Sequence, residues 1–379
     1  MARKAPGMKK RSLVDMSPRA IPKIPITKIA KPSSNIQLDL LFIISISGIV
    51  VNMSNFWQEM KVKNNGEPIL CLAPMADVTD SAFRHIISKY SSISHVTYTE
   101  FVSADGLCLA PLEGRKKLLK DLEFSEIERP IVAQFFTSKP ENMERVARLA
   151  AELGFDGVDI NMGCPDKSIE KQGAGAALIK NPKLARELIR AAKIGVQNKI
   201  PVSVKTRLGY NKDELDPPAD GWLPELLAEE PAAIILHART RKEMSLVPAR
   251  WERIKRAVEI RDNLKSETLI LGNGDVVDTD DARRKCRETG ADGAMLGRAV
   301  FGNACLFSNH KPNLEEKLQI LKEHIQLFHK NLGQVKSFAI MKKHFKAYLA
   351  GYEGVFDLKN KLMETNNAEE AVSLINALK

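Results

Sequence analysis

Cysteine is scarce in this chain, with five among 379 residues, at positions 71, 108, 164, 286 and 305. No two of them form a CxxC pair, and the sequence has no His/Cys cluster with the spacing of a zinc site. An odd, scattered set excludes a disulfide framework and indicates a reducing, intracellular compartment. We therefore expect a cytoplasmic protein that binds no metal.

The chain also lacks a long apolar run. The stretch LLFIISISGIVV, residues 40–51, has twelve apolar or small residues, whereas a membrane-spanning helix needs about 20. A basic start followed by a short apolar run also resembles a secretory signal, but the segment before this run is long for one. We therefore expect no membrane partner.

Most of the chain has only a small net charge. The net charge is +10, but residues 1–52 contribute +7 of it, from nine Lys and Arg against two Asp. The composition of residues 1–52 predicts a disordered basic tail, and we expect translation to begin at Met53, so that this tail is absent from the native protein. A real tail, or a signal or membrane anchor, is the alternative. The remaining body is mildly basic, which permits a nucleic-acid partner without requiring one.

From residue 69 onward, apolar and β-branched runs of strand length alternate with segments whose apolar residues have helical spacing. Strands separated by helices predict a parallel sheet with right-handed crossovers. Eight such units within about 235 residues predict a (β/α)8 TIM barrel, and a doubly wound open sheet is the alternative because periodicity does not show closure. The runs are 69–75, 96–102, 130–136, 157–162, 201–206, 232–237, 268–273 and 293–297.

The last part of the chain loses this alternation. Residues 313–379 carry three helical stripes with no strand between them, which predicts a small all-helical domain. We place the barrel at 53–310 and the helical domain at 311–379. The second helical stripe holds a basic cluster that could face phosphates or could be a plain solvated face, made of Lys342, Lys343, His344 and Lys346.

Polar residues or glycines follow seven of the eight predicted strands, where barrels carry their catalytic and binding groups. After the last two, GNGDV (272–276) and LGR (296–298) predict a phosphate site. Glycine lets backbone N–H groups approach an anion, and Arg298 adds charge-assisted bonds. The alternative is that Gly272 and Gly274 only make a tight turn.

Four further side chains in or beside the predicted strands are candidates for contact with a bound ligand. Lys205 lies within an apolar strand, where a buried ammonium needs an anionic partner, although an outward lysine reaching solvent is the alternative. His237 has an equivalent position and could equally be structural. Gln134 could hydrogen-bond the edge of a heterocycle or cap a loop, and Met75 could lie against a flat ring or simply fill the core.

Cys164 lies in DGVDINMGCPDKSIEKQGAGAAL, residues 156–178, between a glycine and a proline after an apolar run. These neighbours predict a rigid loop at a strand exit. A nucleophile, a general acid, a metal ligand, a redox thiol and an inert thiol are the competing roles. Metal and redox roles lack companion residues, and a nucleophile lacks an obvious base. A proton donor needs only placement, so that role is favoured over the inert thiol.

Several motifs together resemble the tRNA-dihydrouridine synthase family, in order from about residue 69 to the C-terminal helices. The pair NMGCP and HARTR is the most specific. The motifs are LAPMADVTDSAFR, DINMGCP, GAGAALIKNP, VKTRLGY, HARTR, GNGDV and GRAVFGN.

The resemblance implies an FMN-bound barrel and a helical domain that grips tRNA, with NADPH or NADH as reductant and a flipped uridine as substrate. It implies that Cys164 protonates C5 of the uridine, and that Asn161 and Arg239 contact the uridine. The cofactor-binding residues that it implies are Met75, Ala76, Gln134, Lys205, His237, Asn273, Gly274, Asp275, Gly297 and Arg298. We expect a monomer.

The sequence departs from the family pattern at three places. Asp77 stands where the family often has glycine, Gln172 interrupts a usual pair of glycines, and GNACLF replaces a more familiar GNPWLF. These departures affect loop shape and leave open which uridine is reduced. A flavin barrel that reduces a small enone or pyrimidine is one rival interpretation, and a non-catalytic RNA-binding barrel is the other.

Overall fold

A computed structural model of the chain describes residues 55–216, 221–352 and 354–377. The strands are β1 Ile69–Leu72, β2 Thr97–Tyr98, β3 Val102–Ser103, β4 Ile131–Phe136, β5 Gly157–Asn161, β6 Val202–Arg207, β7 Ala233–His237, β8 Leu269–Asn273 and β9 Gly293–Leu296. The helices are α1 Phe56–Lys63, α2 Ser81–Lys89, α3 Ala104–Leu109, α4 Leu112–Lys120, α5 Pro140–Glu152, α6 Lys167–Glu170, α7 Pro182–Val196, α8 Trp222–Leu227, α9 Trp251–Asn263, α10 Thr279–Thr289, α11 Leu314–Leu332, α12 Met341–Tyr348, α13 Phe356–Glu364 and α14 Ala368–Asn376. The predictions for residues 1–52 lie outside the described residues.

The strands form one parallel sheet that closes on itself. Its order is β1-β9-β8-β7-β6-β5-β4-β2, and β3 also pairs with β4. The ring closes between β1 and the start of β2, where Leu72 N donates to Val96 O at 2.8 Å and Val96 N donates to Leu70 O at 2.9 Å. The predicted (β/α)8 barrel is therefore confirmed, and the open-sheet alternative is wrong.

One predicted strand differs from the structure. Residues 96–102 were expected to form a single strand, but they form the two short strands β2 and β3, which both pair with β4. Between them the chain leaves the ladder so that Glu100 can accept hydrogen bonds from Asp77 N and Lys336 Nζ, both at 2.5 Å. Both partners of Glu100 are distant in the sequence, so the local pattern of residues 96–102 does not predict the break in the strand.

The barrel interior is apolar at the end where the strands begin. Helix α1 closes that end, because its Trp57 and Met60 are buried in one cluster with Ile69 and Leu269, at the starts of β1 and β8. The opposite end, where the strands finish, stays accessible to ligands. Since side chains alternate along each strand, every second residue near that end points into the barrel.

The C-terminal helices pack directly on the barrel, and the described residues from 55 onward form one compact unit. Helix α11 lies against α2, and His324 of α11 stacks on Phe83 of α2 with ring centroids 4.9 Å apart. His344 of α12 contacts the same Phe83 at 4.8 Å. The predicted domain boundary at residue 310 stays a prediction. None of the described helices is long and apolar enough to cross a bilayer.

His344 is fully buried, so it does not belong to an exposed basic cluster with its lysine neighbours. Both of its ring nitrogens and both of those of His324 lack a hydrogen-bond partner among the described residues. Burial, helped by the charge of Lys343, lowers the pKa of His344 to about 3. The imidazole is therefore neutral in the folded protein.

We predict that this histidine makes the fold acid-sensitive. Its folded pKa lies below its unfolded value of about 6.5, so its contribution to stability is complete above that value and is lost as the pH falls. Between pH 7 and pH 5, the unfolding free energy of the wild type should fall by about 2 kcal/mol more than that of His344→Phe. Denaturant unfolding at the two pH values measures this difference. Phe345→Leu, which changes a buried neighbour on α12 that carries no titratable group, should lower the unfolding free energy equally at both pH values. An equal loss of pH dependence in the two variants would contradict the prediction.

Candidate active site

A cavity of about 620 Å³ opens at the end of the barrel where the strands finish. It is lined by Ala73, Pro74, Met75, Lys205, His237, Arg239, Ser245, Asn273, Gly274, Asp275, Val276, Val277, Met295, Gly297, Arg298 and Ala299. Nine of the thirteen site residues predicted from the sequence are in this set. The other four, Ala76, Gln134, Asn161 and Cys164, are not, so each needs a separate account.

Lys205 projects into this cavity from the middle of the barrel wall. Its ammonium donates to Asn273 Oδ1 at 3.2 Å, and Asn273 Nδ2 donates to the carbonyl of Met295 at 2.8 Å. Burial and the nearby charge of Arg207 lower the pKa of Lys205 to about 8, against the opposite effect of Asp159. The side chain therefore stays mostly protonated at neutral pH, and its ammonium has donors left for an anionic ligand.

The loops after β8 and β9 form the more polar wall of the cavity. Asp275 accepts hydrogen bonds from Arg298 Nη2 at 2.6 Å and from the backbone of Ala249 at 2.8 Å, and it also pairs with Arg239. Burial acts to raise the pKa of Asp275, but its hydrogen bonds outweigh burial and hold the pKa below its usual value. The side chain of Arg298 is 66% exposed, so this ion pair holds it in place while it stays accessible.

Gly274 is required by the shape of this wall. Its φ of +122° is a conformation that L side chains rarely adopt. A Cβ at this position would lie 2.9 Å from Ala249 Cβ and 3.2 Å from His237 Cδ2. Backbone groups of the loop can therefore approach a ligand closely, as the sequence pattern predicted.

His237 is a neutral acceptor in this site. Its Nε2 lies 3.1 Å from Arg239 Nη1, and because a guanidinium can only donate, Nε2 accepts and the ring proton is on Nδ1. Burial, followed by the charges of Arg207 and Lys205, lowers the pKa of His237 well below its ordinary value. Arg239 is itself held by the carbonyl of Val247, to which its Nε donates at 2.6 Å.

Gln134 and Asn161 are buried in the barrel interior and bond to each other. Asn161 Nδ2 donates to Gln134 Oε1 at 3.0 Å, and Gln134 Nε2 donates to Asp159 Oδ2 at 2.7 Å. Asn161 Oδ1 accepts from the backbone N–H groups of Gly163 at 3.1 Å and Cys164 at 2.9 Å. The hydrogen-bonding groups of both amides are thus engaged within the protein.

Cys164 lies on the rigid loop that the sequence predicted. Its backbone N–H is held by Asn161, and its carbonyl accepts from Ala176 N at 2.9 Å. The thiol is half-buried, and burial raises its pKa, so it stays protonated at neutral pH. Asn161 is the register partner of Lys205, which places the cysteine loop and the lysine at the same end of the barrel.

Two further observations complete the predicted set. Ala76 is exposed and follows Met75, at the rim of the cavity. Sequence reasoning missed Asp159, although an aspartate two residues before Asn161 in an apolar strand must share its face. Among the described residues, no group of three or more His, Cys, Asp or Glu could hold a metal ion.

The chain resembles known proteins over most of its length. A family model described as dihydrouridine synthase matches residues 71–379. A probable tRNA-dihydrouridine synthase of Staphylococcus aureus (strain MRSA252) is 38% identical over 324 residues, which cover 85% of this chain and 94% of that protein. The probable tRNA-dihydrouridine synthase 2 of Bacillus subtilis (strain 168) is also 38% identical over 324 residues, covering 85% of this chain and 95% of that protein.

Among solved structures, the old yellow enzyme homologue from Zymomonas mobilis aligns with 13% sequence identity and a TM-score of 0.40. The alignment covers 62% of this chain and 85% of that chain. This similarity is too distant to bear on the site.

We predict that Gly175 is required to shape the cysteine loop. Its φ is +60°, and a Cβ would lie 2.7 Å from the carbonyl oxygen of Cys164. Gly175→Ala should lower the unfolding free energy by about 2–4 kcal/mol, because backbone strain and a steric clash add together. Gly66, with φ +83° and nothing within 4 Å of a Cβ, is the matched control, and Gly66→Ala should cost only about 1 kcal/mol. Chemical denaturation compares the two, and equal losses would argue against the clash.

Proposed function

The chain belongs to the dihydrouridine synthase family, and from this premise we propose that it reduces the C5–C6 double bond of uridine in tRNA. The product is 5,6-dihydrouridine, which requires one hydride at C6 and one proton at C5. The main observation in support is that Lys205 and the loop that holds Cys164 lie at the same open end of the barrel. They lie beside a cavity of about 620 Å³. That volume is in the range of a cofactor site.

The cavity fits a flavin mononucleotide. Met75, Met295 and Ala73 give it an apolar side for a flat ring, while Gly274, Gly297 and Arg298 offer backbone N–H groups and a cation for a phosphate. The ion pair with Asp275 holds the guanidinium of Arg298 in position, so the phosphate-binding group is oriented before a ligand binds. A bound flavin, reduced by NADPH or NADH, would supply the hydride.

Lys205 and Asn273 would hold the reactive edge of the ring. The ammonium of Lys205 offsets negative charge that develops next to it, in a buried place where such a charge is otherwise costly. Asn273 fixes the direction of the ammonium through the 3.2 Å hydrogen bond. His237, neutral and fixed by Arg239, lies beside them without adding a second positive charge.

Cys164 would give the proton. A thiol whose pKa is raised by burial is protonated before the reaction, which is the state that a general acid requires. The proton passes from Sγ to C5 of the uracil ring, and the resulting thiolate recovers a proton from solvent. The backbone N–H and the carbonyl of Cys164 are both hydrogen-bonded, so the loop would keep the thiol in a fixed position relative to the uracil ring.

The remaining assignments are also proposals. Direct contact of Asn161 and Arg239 with the uridine would require them to exchange hydrogen bonds that they make within the protein, so support for these contacts is weaker. For tRNA, α12 offers Lys346, which is exposed, and Lys342 and Lys343, which are half-buried, as contacts for the phosphate backbone. The uridine must leave its stack to reach the cavity. We propose a monomeric enzyme.

Cys164→Ala tests the proposed acid. With unmodified tRNA, NADPH and FMN, this variant should bind flavin and oxidise NADPH as the wild type does, but form dihydrouridine about 10²–10⁴-fold more slowly. Mass spectrometry of nucleosides from the tRNA measures the product. Cys108→Ala, which removes a thiol that is also half-buried but lies on α3 and not on the loop after β5, is the control and should have wild-type rates. Unchanged dihydrouridine formation by Cys164→Ala would overturn the role.

Arg298→Ala tests the phosphate end of the cavity. Loss of a charge-assisted contact should weaken flavin binding by about tenfold, so that the purified protein carries less flavin by its absorbance. Arg284, on α10, is similarly exposed and also paired with an aspartate, Asp281, so Arg284→Ala is the control. Equal flavin content in the two variants would count against the site.

A further inference from the structure

Asp159 is a carboxylate enclosed in the barrel, with no exposed surface and no ion pair among the described residues. It lies in the middle of β5, in register with Gln134 of β4 and Ser203 of β6. Ser203 Oγ donates to its Oδ1 at 2.6 Å, and Gln134 Nε2 donates to its Oδ2 at 2.7 Å. A buried carboxylate with only neutral donors is costly, so its presence calls for a reason.

The hydrogen bonds that start at Asp159 have a direction. An ionised carboxylate can only accept, so Gln134 must turn its NH₂ group toward Asp159 and its Oε1 away. That oxygen then accepts from Asn161 Nδ2, which leaves Asn161 Oδ1 free to accept from the N–H of Cys164. If either amide were reversed, two donors or two acceptors would face each other. The acceptor-only carboxylate at one end of the chain and the donating backbone N–H groups at the other end therefore agree on one orientation of both amides.

The carboxylate is ionised at neutral pH. Burial raises the pKa of Asp159 to about 6, and the hydrogen bonds from Ser203 and Gln134, together with the charge of Lys205, keep it from rising further. Asp159 and the ammonium of Lys205 thus lie in the same part of the barrel interior, close enough for their charges to interact. It lies below the reactive end of the barrel and does not line the cavity.

We propose that Asp159 is a positioning residue for Cys164: its carboxylate sets the direction of the Gln134–Asn161 chain and so pins the loop that carries the thiol. The proposal deepens the proposed function, on which its catalytic consequence rests. The hydrogen-bond chain itself is a property of the protein without substrate.

The test measures the accessibility of Cys164 to iodoacetamide, by mass spectrometry of the peptide that contains it. Asp159→Leu removes the acceptor at similar size, and Gln134→Met breaks the chain at its next link while leaving Asp159 in place. Both should raise the alkylation rate of Cys164 about fivefold, the effect of losing one hydrogen bond that holds the loop. The second variant keeps the test valid if the first does not fold.

Two controls separate positioning from a general loosening of the fold. Asp159→Asn keeps an oxygen for Gln134 while its NH₂ can bond Ser203 Oγ, so it should restore an alkylation rate close to that of the wild type. Cys108 serves as an internal reference in every sample, and its alkylation rate should not change. Leu271→Val, a change in the apolar part of the same barrel interior and outside the hydrogen-bond chain, should leave the alkylation rate of Cys164 as in the wild type.

The proposal is overturned if Cys164 is alkylated at the wild-type rate in both Asp159→Leu and Gln134→Met, or if the rates of Cys164 and Cys108 rise together. A second measurement links it to catalysis: dihydrouridine formation by Asp159→Leu should fall about 10²-fold, the effect of a misplaced reacting group, and recover in Asp159→Asn. If the wild type forms no dihydrouridine, the proposed function fails while the alkylation result still decides the role of Asp159.

Discussion

The ammonium of Lys205 is the constraint around which the open end of the barrel is built. A lysine inside a strand of a closed barrel cannot reach bulk water by bending outward, so its charge must be stabilised locally. Asn273 supplies one hydrogen bond, and Asp159 supplies an opposite charge deeper in the barrel. Neither neutralises the ammonium directly. The site therefore retains an unsatisfied cation that faces the cavity, which is a condition for attracting an anionic ligand.

The same interior divides into an apolar and a polar sector. Strands β1, β7, β8 and β9 contribute residues such as Cys71, Ile235, Leu271 and Met295 to one buried apolar cluster. Strands β4 to β6 instead bring Gln134, Asp159, Asn161, Ser203 and Lys205 to the inside, and all of these lie on register-paired rungs. Parallel pairing places paired side chains on one face, so a polar residue on one of these strands can bond its neighbour on the next. The polar groups hydrogen-bond to one another from strand to strand, and the cavity proposed for the cofactor lies nearer the open end of the barrel.

How far the sequence predicts this arrangement depends on the range of each interaction. The eight strand runs were predicted because apolar periodicity is local, and Lys205 was noticed because a lysine interrupts such a run. The Asp159–Gln134–Asn161 chain was not predicted, since it depends on the register between β4 and β5, which no local pattern contains. The burial of His344 was missed for a similar reason. The sequence of its helix shows a cluster of basic residues but does not show which face of the helix is buried. The contact of His344 with Phe83 shows that the histidine is on the buried face.

Long-range contacts also explain the unusual loop after β1. Asp77 has a φ of +55°, a conformation for which glycine is favoured, at the place where the family often has glycine. Its backbone N–H is held by Glu100, and the other oxygen of Glu100 accepts from Lys336, in the segment between α11 and α12. Lys336 also pairs with Asp121 at 2.9 Å, which fixes its position further. The loop that carries Met75 and Ala76 and the helices proposed to hold tRNA are thus joined by one partly buried ion-pair network, so movement of either would have to be accommodated by the other.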